Sequence, residues 1–338
     1  MSDIWWCCAR RREVECLRHH QAQRVVASST NDRMAQQDAA GEGLSSMIFS
    51  ENRSRALVAL WIAVTIWAST FVVTKGVVST IGPALLTVTR FAIASVVLVA
   101  ACRLRRSPMR DLIGTPSAVC GLTGVALYYG LQNIGLQSVS AATGALLQAT
   151  LPVACTLLAF LLLRDRLGVR EVAGTCLSVV GVVTIFGSET AAPGTGEVAI
   201  ILGVAAYAVY TVYLRSSAAT SGPLELSAGS ALFGTAFVAP WAVWEVLVDG
   251  PPSITVANIW AVGYLGIVAS ALTLLLWTYG VGRAGAATAG TFAGAIPAVG
   301  YLLALADGEP FAWVKLAGSG LALMGVAIAS STGADHPS

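Results

Sequence analysis

Residues Tyr128–Leu167 read YYGLQNIGLQSVSAATGALLQATLPVACTLLAFLLLRDRL, and they decide how the chain folds. One apolar segment ends in polar residues, a short uncharged link follows, and a second apolar segment runs to the charged step Arg164-Asp165-Arg166. The same arrangement returns in Leu276–Phe311, which reads LWTYGVGRAGAATAGTFAGAIPAVGYLLALADGEPF. Pro297 lies 145 positions after Pro152, and the alanines around the two prolines fall in step. This periodicity predicts an internal duplication.

The composition indicates a membrane protein. Hydrophobic residues make up 56% of the chain and charged residues 11%, less than half the charged share of an ordinary soluble domain. Residues 112–163 contain no Lys, Arg, Asp or Glu. That block is too long for one membrane span and fits two spans of about 20 residues each. Spans that are apolar on every face must be helices in lipid, so the sequence predicts an all-α integral membrane protein.

Ten apolar spans divide into two halves of five. They cover residues 56–74, 83–102, two spans within 112–163 that part near 137–140, and 172–187, followed by 198–214, 226–244, 259–281, 285–306 and 316–331. Residues 188–197 are rich in turn-forming residues and are predicted to be the linker. The predicted repeats are therefore residues 55–187 and 198–331, each with five transmembrane helices.

The two chain ends are predicted to lie outside the repeats. Residues 1–54 mix arginines with acidic residues and lack the long apolar core of a signal peptide. We expect a disordered cytoplasmic extension there. Two alternatives stay open, namely a regulatory tail and a true start at Met34 or Met47. Residues 332–338 are expected to be a short C-terminal tail.

The placement of arginines predicts the orientation in the cell membrane. If the N-terminus is cytoplasmic, nine arginines fall in cytoplasmic loops, whereas only Lys75 and Lys315 fall in external loops. This bias follows the positive-inside rule and places both termini in the cytoplasm. Because five spans is an odd number, the two halves are predicted to be inverted-topology repeats, an arrangement typical of alternating-access carriers.

Three stretches of the first half resemble a known repeat. Trp67–Lys75 reads WASTFVVTK, Pro83 precedes Arg90-Phe91, and Tyr129–Gly181 completes the pattern. Together they are similar to the EamA-type repeat of the drug/metabolite transporter superfamily, and the resemblance extends over about residues 55–331. It implies a ten-helix secondary transporter that moves a small metabolite or drug-like solute across the cytoplasmic membrane by alternating access. Export is the expected direction.

The chain departs from that family's pattern at two places. The step Leu163–Leu167 resembles the family's Leu-Gly-Glu-Arg-Leu, but Arg164 replaces the glycine and Asp165 the glutamate. Ser230 stands in the second half where the first half has Arg90, so a pairing role of the arginine is not duplicated. Members of the family move very different solutes, and the resemblance does not identify the substrate.

Seven side chains in the apolar spans are candidates for binding the solute. They are Trp67, Thr70, Arg90, Tyr129, Gln148, Tyr210 and Trp277. Arg90 stands out because an ionisable group inside a membrane span is a functional hypothesis by default. The alternative for Arg90 is a structural pairing with helix-end carbonyls. The aromatic candidates either stack on a solute or face neighbouring helices and lipid.

Pro152 and Pro297 are predicted to kink the helices that contain them. A proline inside a helix frees the carbonyl four residues back, which is that of Gln148 in the first half. Such a carbonyl would place a polar notch on the central cavity. The alternative is a kink that serves packing.

No cofactor and no metal site are expected. The cysteines lack CxxC spacing, and no histidine lies between His20 and His336. The expected partners are a small-molecule solute and the lipid bilayer, with no nucleic acid, and a homodimer is left open. An intramembrane enzyme and a non-transporting receptor or scaffold are the alternative functions. An enzyme would need a buried acid, base or metal cluster, and no Asp or Glu lies deep in any span.

Overall fold

The part of the chain that the structure describes is helical and contains no strand. The structure is a computed structural model, and it describes residues 54–108, 112–163, 169–187, 194–217, 221–284, 289 and 292–330. The predicted N-terminal extension and the C-terminal tail lie outside these residues, apart from Ser54.

The first half contains seven α-helices and one π-helical turn among its described residues. They are α1 (Ser54–Ile81), α2 (Pro83–Leu104), α3 (Thr115–Cys120), π1 (Gly121–Leu127), α4 (Tyr128–Ser138), α5 (Ala141–Leu147), α6 (Thr150–Leu163) and α7 (Val169–Gly187). The segment from α3 to α4 is continuous, so it forms one span with a π-helical middle.

The described residues of the second half follow the same order, without a described counterpart of α5. The elements are α8 (Thr195–Ser217), α9 (Pro223–Asp249), α10 (Val256–Gly266), π2 (Ile267–Leu272), α11 (Thr273–Ala284), α12 (Ile296–Ala306) and α13 (Trp313–Ser330). The π-helix again lies in the middle of the third span. The duplication read from the sequence is therefore present in the local backbone as well.

Several of these helices are long and apolar enough to cross a membrane. Five segments among the described residues meet that description: Ser54–Ile81, Pro83–Leu104, Thr195–Leu214, Pro223–Asp249 and Val256–Ala284. Shorter apolar helices occupy Ala141–Cys155, Val172–Gly181 and Ile296–Ala306. The chain is a multi-pass helical membrane protein.

Several predicted boundaries differ from the structure, and the differences at α1 and at the linker are described here. The first span was predicted at 56–74, but α1 continues to Ile81. The helix α8 begins at Thr195, so the last three residues of the predicted linker 188–197 are helical. Glu197 in the first turn of α8 favours this start, because a carboxylate stabilises the positive end of a helix. Residues 188–193 lie outside the described part.

The prediction that Pro152 leaves the carbonyl of Gln148 without a hydrogen bond is wrong. The fourth span is interrupted between α5 and α6, and Pro152 lies in the first turn of α6. The carbonyl of Gln148 accepts a hydrogen bond from the N–H of Leu151 at 3.0 Å, in a tight turn. Pro297 likewise lies at the start of α12. A proline in a first turn interrupts no helical hydrogen bond, so both prolines follow a helix break.

Equivalent spans of the two halves pack against each other. α2 packs along α9, α5 along α12, and α7 along α13. The second span of each half also packs on the π-helical region of the other half, α2 on π2 and α9 on π1. These contacts bring the middle of the two halves together around a shared buried core.

Candidate functional site

A cluster of aromatic side chains fills the centre of this core. Its middle is Tyr207 of α8, whose ring lies 4.4 Å from that of Tyr128, 5.0 Å from Tyr210 and 5.7 Å from Trp67. The ring of Trp277 lies 4.9 Å from that of Trp67. With Tyr129, these side chains are called the aromatic cluster below. All are buried, and both halves of the chain contribute to them.

Arg90 lies at one edge of the aromatic cluster and is fully buried. Its Nε donates to Oγ of Ser270 at 2.9 Å, and Nη2 donates to the carbonyl of Ala269 at 3.5 Å. The guanidinium carbon lies 4.5 Å from the ring centroid of Tyr129 and 5.4 Å from that of Phe91. These contacts fix the plane of the guanidinium, and Nη1 has no hydrogen-bond partner among the described residues.

The anchor of Arg90 depends on the π-helix of the second half. Ser270 and Ala269 belong to π2, where the backbone is wound more widely than in an α-helix. π-helical turns occur frequently at functional sites because they shift side chains out of the regular helical register. Here π2 turns a serine hydroxyl and a carbonyl towards an arginine of the other half.

Gln148 lies at the opposite edge of the cluster, in the break between α5 and α6. Its Oε1 accepts a hydrogen bond from the hydroxyl of Tyr128 at 3.2 Å, and the ring of Tyr128 lies 4.6 Å from that of Tyr129. The amide Nε2 of Gln148 is buried and unpartnered among the described residues. A chain of contacts therefore runs from Arg90 through the two tyrosines to Gln148.

Six buried polar atoms of this cluster lack a hydrogen-bond partner among the described residues. They are Nη1 of Arg90, Nε2 of Gln148, Nε1 of Trp67 and Trp277, and the hydroxyls of Tyr207 and Tyr210. The four nitrogens are donors only in these positions. A buried donor left unpaired costs about 1–3 kcal/mol, so a group that accepts these bonds would be bound strongly.

The structure brings six of the seven predicted site residues together, four in the aromatic cluster and two, Arg90 and Gln148, at its edges. The exception is Thr70, whose hydroxyl donates to the carbonyl of Trp67 within α1 at 2.6 Å. The predicted set does not include Tyr128, Tyr207 and Ser270. A signal for Tyr207 exists, since Tyr207-Ala208 repeats Trp67-Ala68 at a separation of 140 positions.

A second set of polar contacts joins the two halves at one end of the bundle. Oε1 of Glu309 accepts from the N–H of Ala142 at 3.1 Å, and Nζ of Lys315 donates to the hydroxyl of Thr143 at 2.9 Å. These four residues are called the Glu309 clamp. A carboxylate at the first turn of α5 is favourable, because the helix N-terminus carries a partial positive charge.

An apolar contact and a loop bond support the Glu309 clamp. Ala142 and Leu146 of α5 pack on Tyr301 and Ala304 of α12. The hydroxyl of Tyr301 accepts from the N–H of Ala312 at 2.9 Å, which holds the loop that carries Glu309.

Lys75 holds the other side of the α4–α5 connection. Its Nζ donates to the carbonyl of Leu136 at 2.9 Å and to that of Gln137 at 3.3 Å. Lys75 belongs to α1, and its side chain satisfies carbonyls at the end of α4 that lack a helical partner. Side chains from both halves therefore form hydrogen bonds with the segment that links α4 and α5.

Comparison with known proteins agrees with the doubled architecture. The EamA-like transporter family matches residues 54–187 and again residues 194–331. The chain belongs to the EamA-like transporter family. Its family membership and its apolar helices make it a multi-pass membrane protein of a transporter family.

Similar EamA proteins occur in bacteria and archaea. A protein of Streptantibioticus cattleyicolor named as a probable terminal-alkyne amino-acid exporter is 31% identical over 279 residues, which is 81% of this chain and 91% of that protein. An uncharacterized transporter of Archaeoglobus fulgidus is 27% identical over 275 residues, 80% of this chain and 97% of that protein. The uncharacterized transporter YetK of Bacillus subtilis is 29% identical over 283 residues, 80% of this chain and 85% of YetK.

A solved crystal structure shares the fold of this EamA protein. It matches with a TM-score of 0.64 and 23% sequence identity, covering 81% of this chain and 95% of the other.

Proposed function

We propose that this chain is a secondary transporter that exports a small solute across the cytoplasmic membrane by alternating access. The observation that carries the proposal is the aromatic cluster with Arg90 and Gln148, a buried polar site built from both halves. Carriers made of two repeats bind their solute between the repeats near the middle of the membrane. The direction is supported by the Streptantibioticus relative, which is named as a probable terminal-alkyne amino-acid exporter.

The proposed arrangement is ten spans in two inverted repeats. A reciprocal pair of close contacts supports it. A Cβ on Gly266 would lie 3.1 Å from the carbonyl oxygen of Arg90, and a Cβ on Gly121 would lie 2.8 Å from that of Ser230. In each half, the second span therefore packs closely against a glycine at the π-helix of the other half. Such mutual contacts are expected where a two-fold axis relates two equivalent units.

The Glu309 clamp is proposed to be the external gate in its closed form. The arginine distribution predicts an external position for Lys75, Glu309 and Lys315. All three hold the ends of α4 and α5 in this structure. Release of the solute to the outside then requires these contacts to break, which is the second half of an alternating-access cycle.

Transport itself is tested with the purified chain in proteoliposomes. We expect saturable counterflow of at least one solute in a screen of amino acids, their deaminated and decarboxylated analogues, purines and amphipathic drugs. Amino acids come first because of the named relative. Empty liposomes give the background. If no solute of the screen exceeds the background with a correctly inserted protein, the transport proposal is wrong.

The topology predicts which loops an impermeant reagent reaches. In a cysteine-free background, a cysteine at position 192 should react with an impermeant maleimide in intact cells. A cysteine in place of Arg105, which is exposed at the end of α2, should react only after the membrane is permeabilised. Labelling of position 192 only after permeabilisation would refute the inverted arrangement.

Weakening the Glu309 clamp should shift the carrier towards its outward-open form. Glu309→Gln keeps the shape but removes the charge that strengthens the bond to Ala142, a loss of about 1 kcal/mol. That difference corresponds to about a fivefold change in the population of the open form. The measurement is the rate at which external maleimide labels a cysteine in place of Leu146, which is buried beside the clamp.

Asp307→Asn is the matched control for the clamp. Asp307 lies two positions before Glu309 and is exposed, so the substitution removes the same charge from the same loop. We expect an unchanged labelling rate. Equal acceleration by both substitutions would show a general effect of loop charge and would contradict the gate.

A further inference from the structure

The aromatic cluster, with Arg90 and Gln148 at its edges, offers mainly hydrogen-bond donors to a solute. Four of the six unpartnered groups are N–H donors, on Arg90, Gln148, Trp67 and Trp277, and the other two are the hydroxyls of Tyr207 and Tyr210, which can also donate. The side-chain acceptor of Gln148 already takes the hydroxyl of Tyr128. A solute that satisfies this set must bring acceptors, because two donors placed together leave both unpaired.

The charge of Arg90 has no acidic counterpart at this site among the described residues. Its described partners are a hydroxyl, a carbonyl and two aromatic rings. Two acidic residues that contact the ends of α2 are used there: Glu225 accepts from Ser107, and Glu245 accepts from the N–H groups at the start of α2. A buried cation without a paired anion is costly, and an arriving anion would relieve that cost.

The position of Arg90 also fixes where an anion would bind. Ser270 and Ala269 take Nε and Nη2, while the ring of Tyr129 covers the guanidinium. Nη1 is left as the free edge of a rigid, planar donor. Such an edge suits a carboxylate, whose two oxygens would accept from Nη1 and from a second N–H donor.

We propose that this site recognises its solute by a carboxylate group, which accepts a hydrogen bond from Nη1 of Arg90. The inference rests on the transport function proposed above and names the class of solute. The aromatic rings pack on the apolar remainder of the solute. An amino group on the solute is not required, because the site presents no carboxylate to pair with it among the described residues.

The proposal predicts a strong discrimination against cationic solutes. Aromatic faces attract an ammonium group by about 0.5–2 kcal/mol, but the charge of Arg90 and four inward N–H donors oppose it. A carboxylate without an amine should therefore be accepted, and an amine without a carboxylate should be rejected.

Charge selectivity at the site is measurable without knowing the natural solute. In a cysteine-free background, Gln148→Cys places a thiol at the far edge of the cluster from Arg90. The probes are 2-carboxyethyl and 2-aminoethyl methanethiosulfonate, which have similar size and opposite charge. The ratio of the two reaction rates is measured for the thiol of the Gln148→Cys variant. It is compared with the ratio for free cysteine in the same buffer. A focused positive potential should raise the carboxyethyl preference by about tenfold or more.

The dependence on Arg90 completes this experiment. Adding Arg90→Gln should return the ratio to that of free cysteine, while Arg90→Lys should keep most of the preference. A ratio at or below the free-cysteine value with Arg90 intact overturns the proposal, and so does a failure of both probes to react. A preference that survives Arg90→Gln also overturns it. If the Arg90→Gln protein does not fold, the rate ratio measured with Arg90 intact still tests the proposal.

Proteoliposomes then separate this inference from the transport proposal. L-Phenylalanine, 3-phenylpropionate and 2-phenylethylamine share one apolar group and differ in their carboxylate and amine. We expect the two acids, and not the amine, to inhibit counterflow of whichever solute the screen identifies. Inhibition by the amine alone would overturn the carboxylate inference and leave transport standing. A screen without any transported solute would overturn transport, whatever the labelling ratio.

Discussion

Arg90→Lys is expected to lower the initial rate of transport by about 30- to 100-fold, although it keeps the positive charge. Lysine lacks the planar fork that lets one side chain bond Ser270, cover Tyr129 and still present a free donor. Losing a buried charged hydrogen bond costs about 2–2.8 kcal/mol, which corresponds to that range of rates. Counterflow in proteoliposomes measures the rate, and thermal unfolding of the same preparation measures stability.

The chain offers a matched control for this substitution. Arg283 lies 5.4 Å from the ring centroid of Tyr279, but it is exposed. Arg283→Lys makes the same chemical change over the same type of ring, and transport should stay within about twofold because exposed charges contribute little. If Arg90→Lys transports normally while Arg90→Ala fails to fold, Arg90 is a structural residue and the proposed site is wrong.

Ser270→Ala tests whether the serine positions the arginine. It removes the bond to Nε and keeps the charge and the stacking on Tyr129. We expect a loss of about fivefold to tenfold in transport, less than for Arg90→Lys, because one neutral partner contributes about 1–1.5 kcal/mol.

The sequence predicted the duplication and most members of the cluster for a physical reason. Charged and amide side chains are so costly inside lipid that Arg90 and Gln148 stand out against their apolar neighbours. Aromatic residues such as Trp67 and Trp277 are large, and their N–H groups distinguish them from ordinary packing residues. These features are local to one span, so a single sequence is enough to identify them.

The rest depends on contacts between distant residues. Ser270 meets Arg90 across 180 positions, and Glu309 meets Ala142 across 167. Nothing in the residues of π2 marks them as π-helical, and the helix that packs on this segment, α2, comes from the other half. The free carbonyl expected at Gln148 is wrong because the helix breaks before Pro152, and in the tight turn there the N–H of Leu151 donates to that carbonyl.

The short helix α5 connects the Glu309 clamp to the aromatic cluster. Ala142 and Thr143 at its start belong to the clamp, and Gln148 follows its end. Seven residues of helix span about 10 Å, and a helix this short moves as a rigid piece. Opening of the clamp would therefore displace Gln148, so the gate and the site are mechanically joined.

Gly300→Ala should strongly disrupt the contact between α5 and α12. A Cβ on Gly300 of α12 would lie 2.5 Å from Cβ of Ala145, in the middle of α5. Ala145 has no flexible side chain that could move aside, so the two helices must separate. Overpacking of this kind costs about 1–3 kcal/mol, which lowers Tm by about 5 °C and is expected to reduce transport at least about tenfold. Gly320→Ala is the control, since a Cβ there meets nothing within 4 Å, and it should leave both measurements unchanged.

The decisive variant exchanges the two residues. Ala145→Gly combined with Gly300→Ala restores one methyl group at the crossing of α5 and α12, so transport and Tm should recover most of their original values. The coupling between the two substitutions should be favourable by about 1–2 kcal/mol, as for residues in direct contact. If the double variant is as impaired as Gly300→Ala alone, the defect does not arise from the crossing with α5. In that case the proposed mechanical link between the Glu309 clamp and Gln148 does not pass through Ala145.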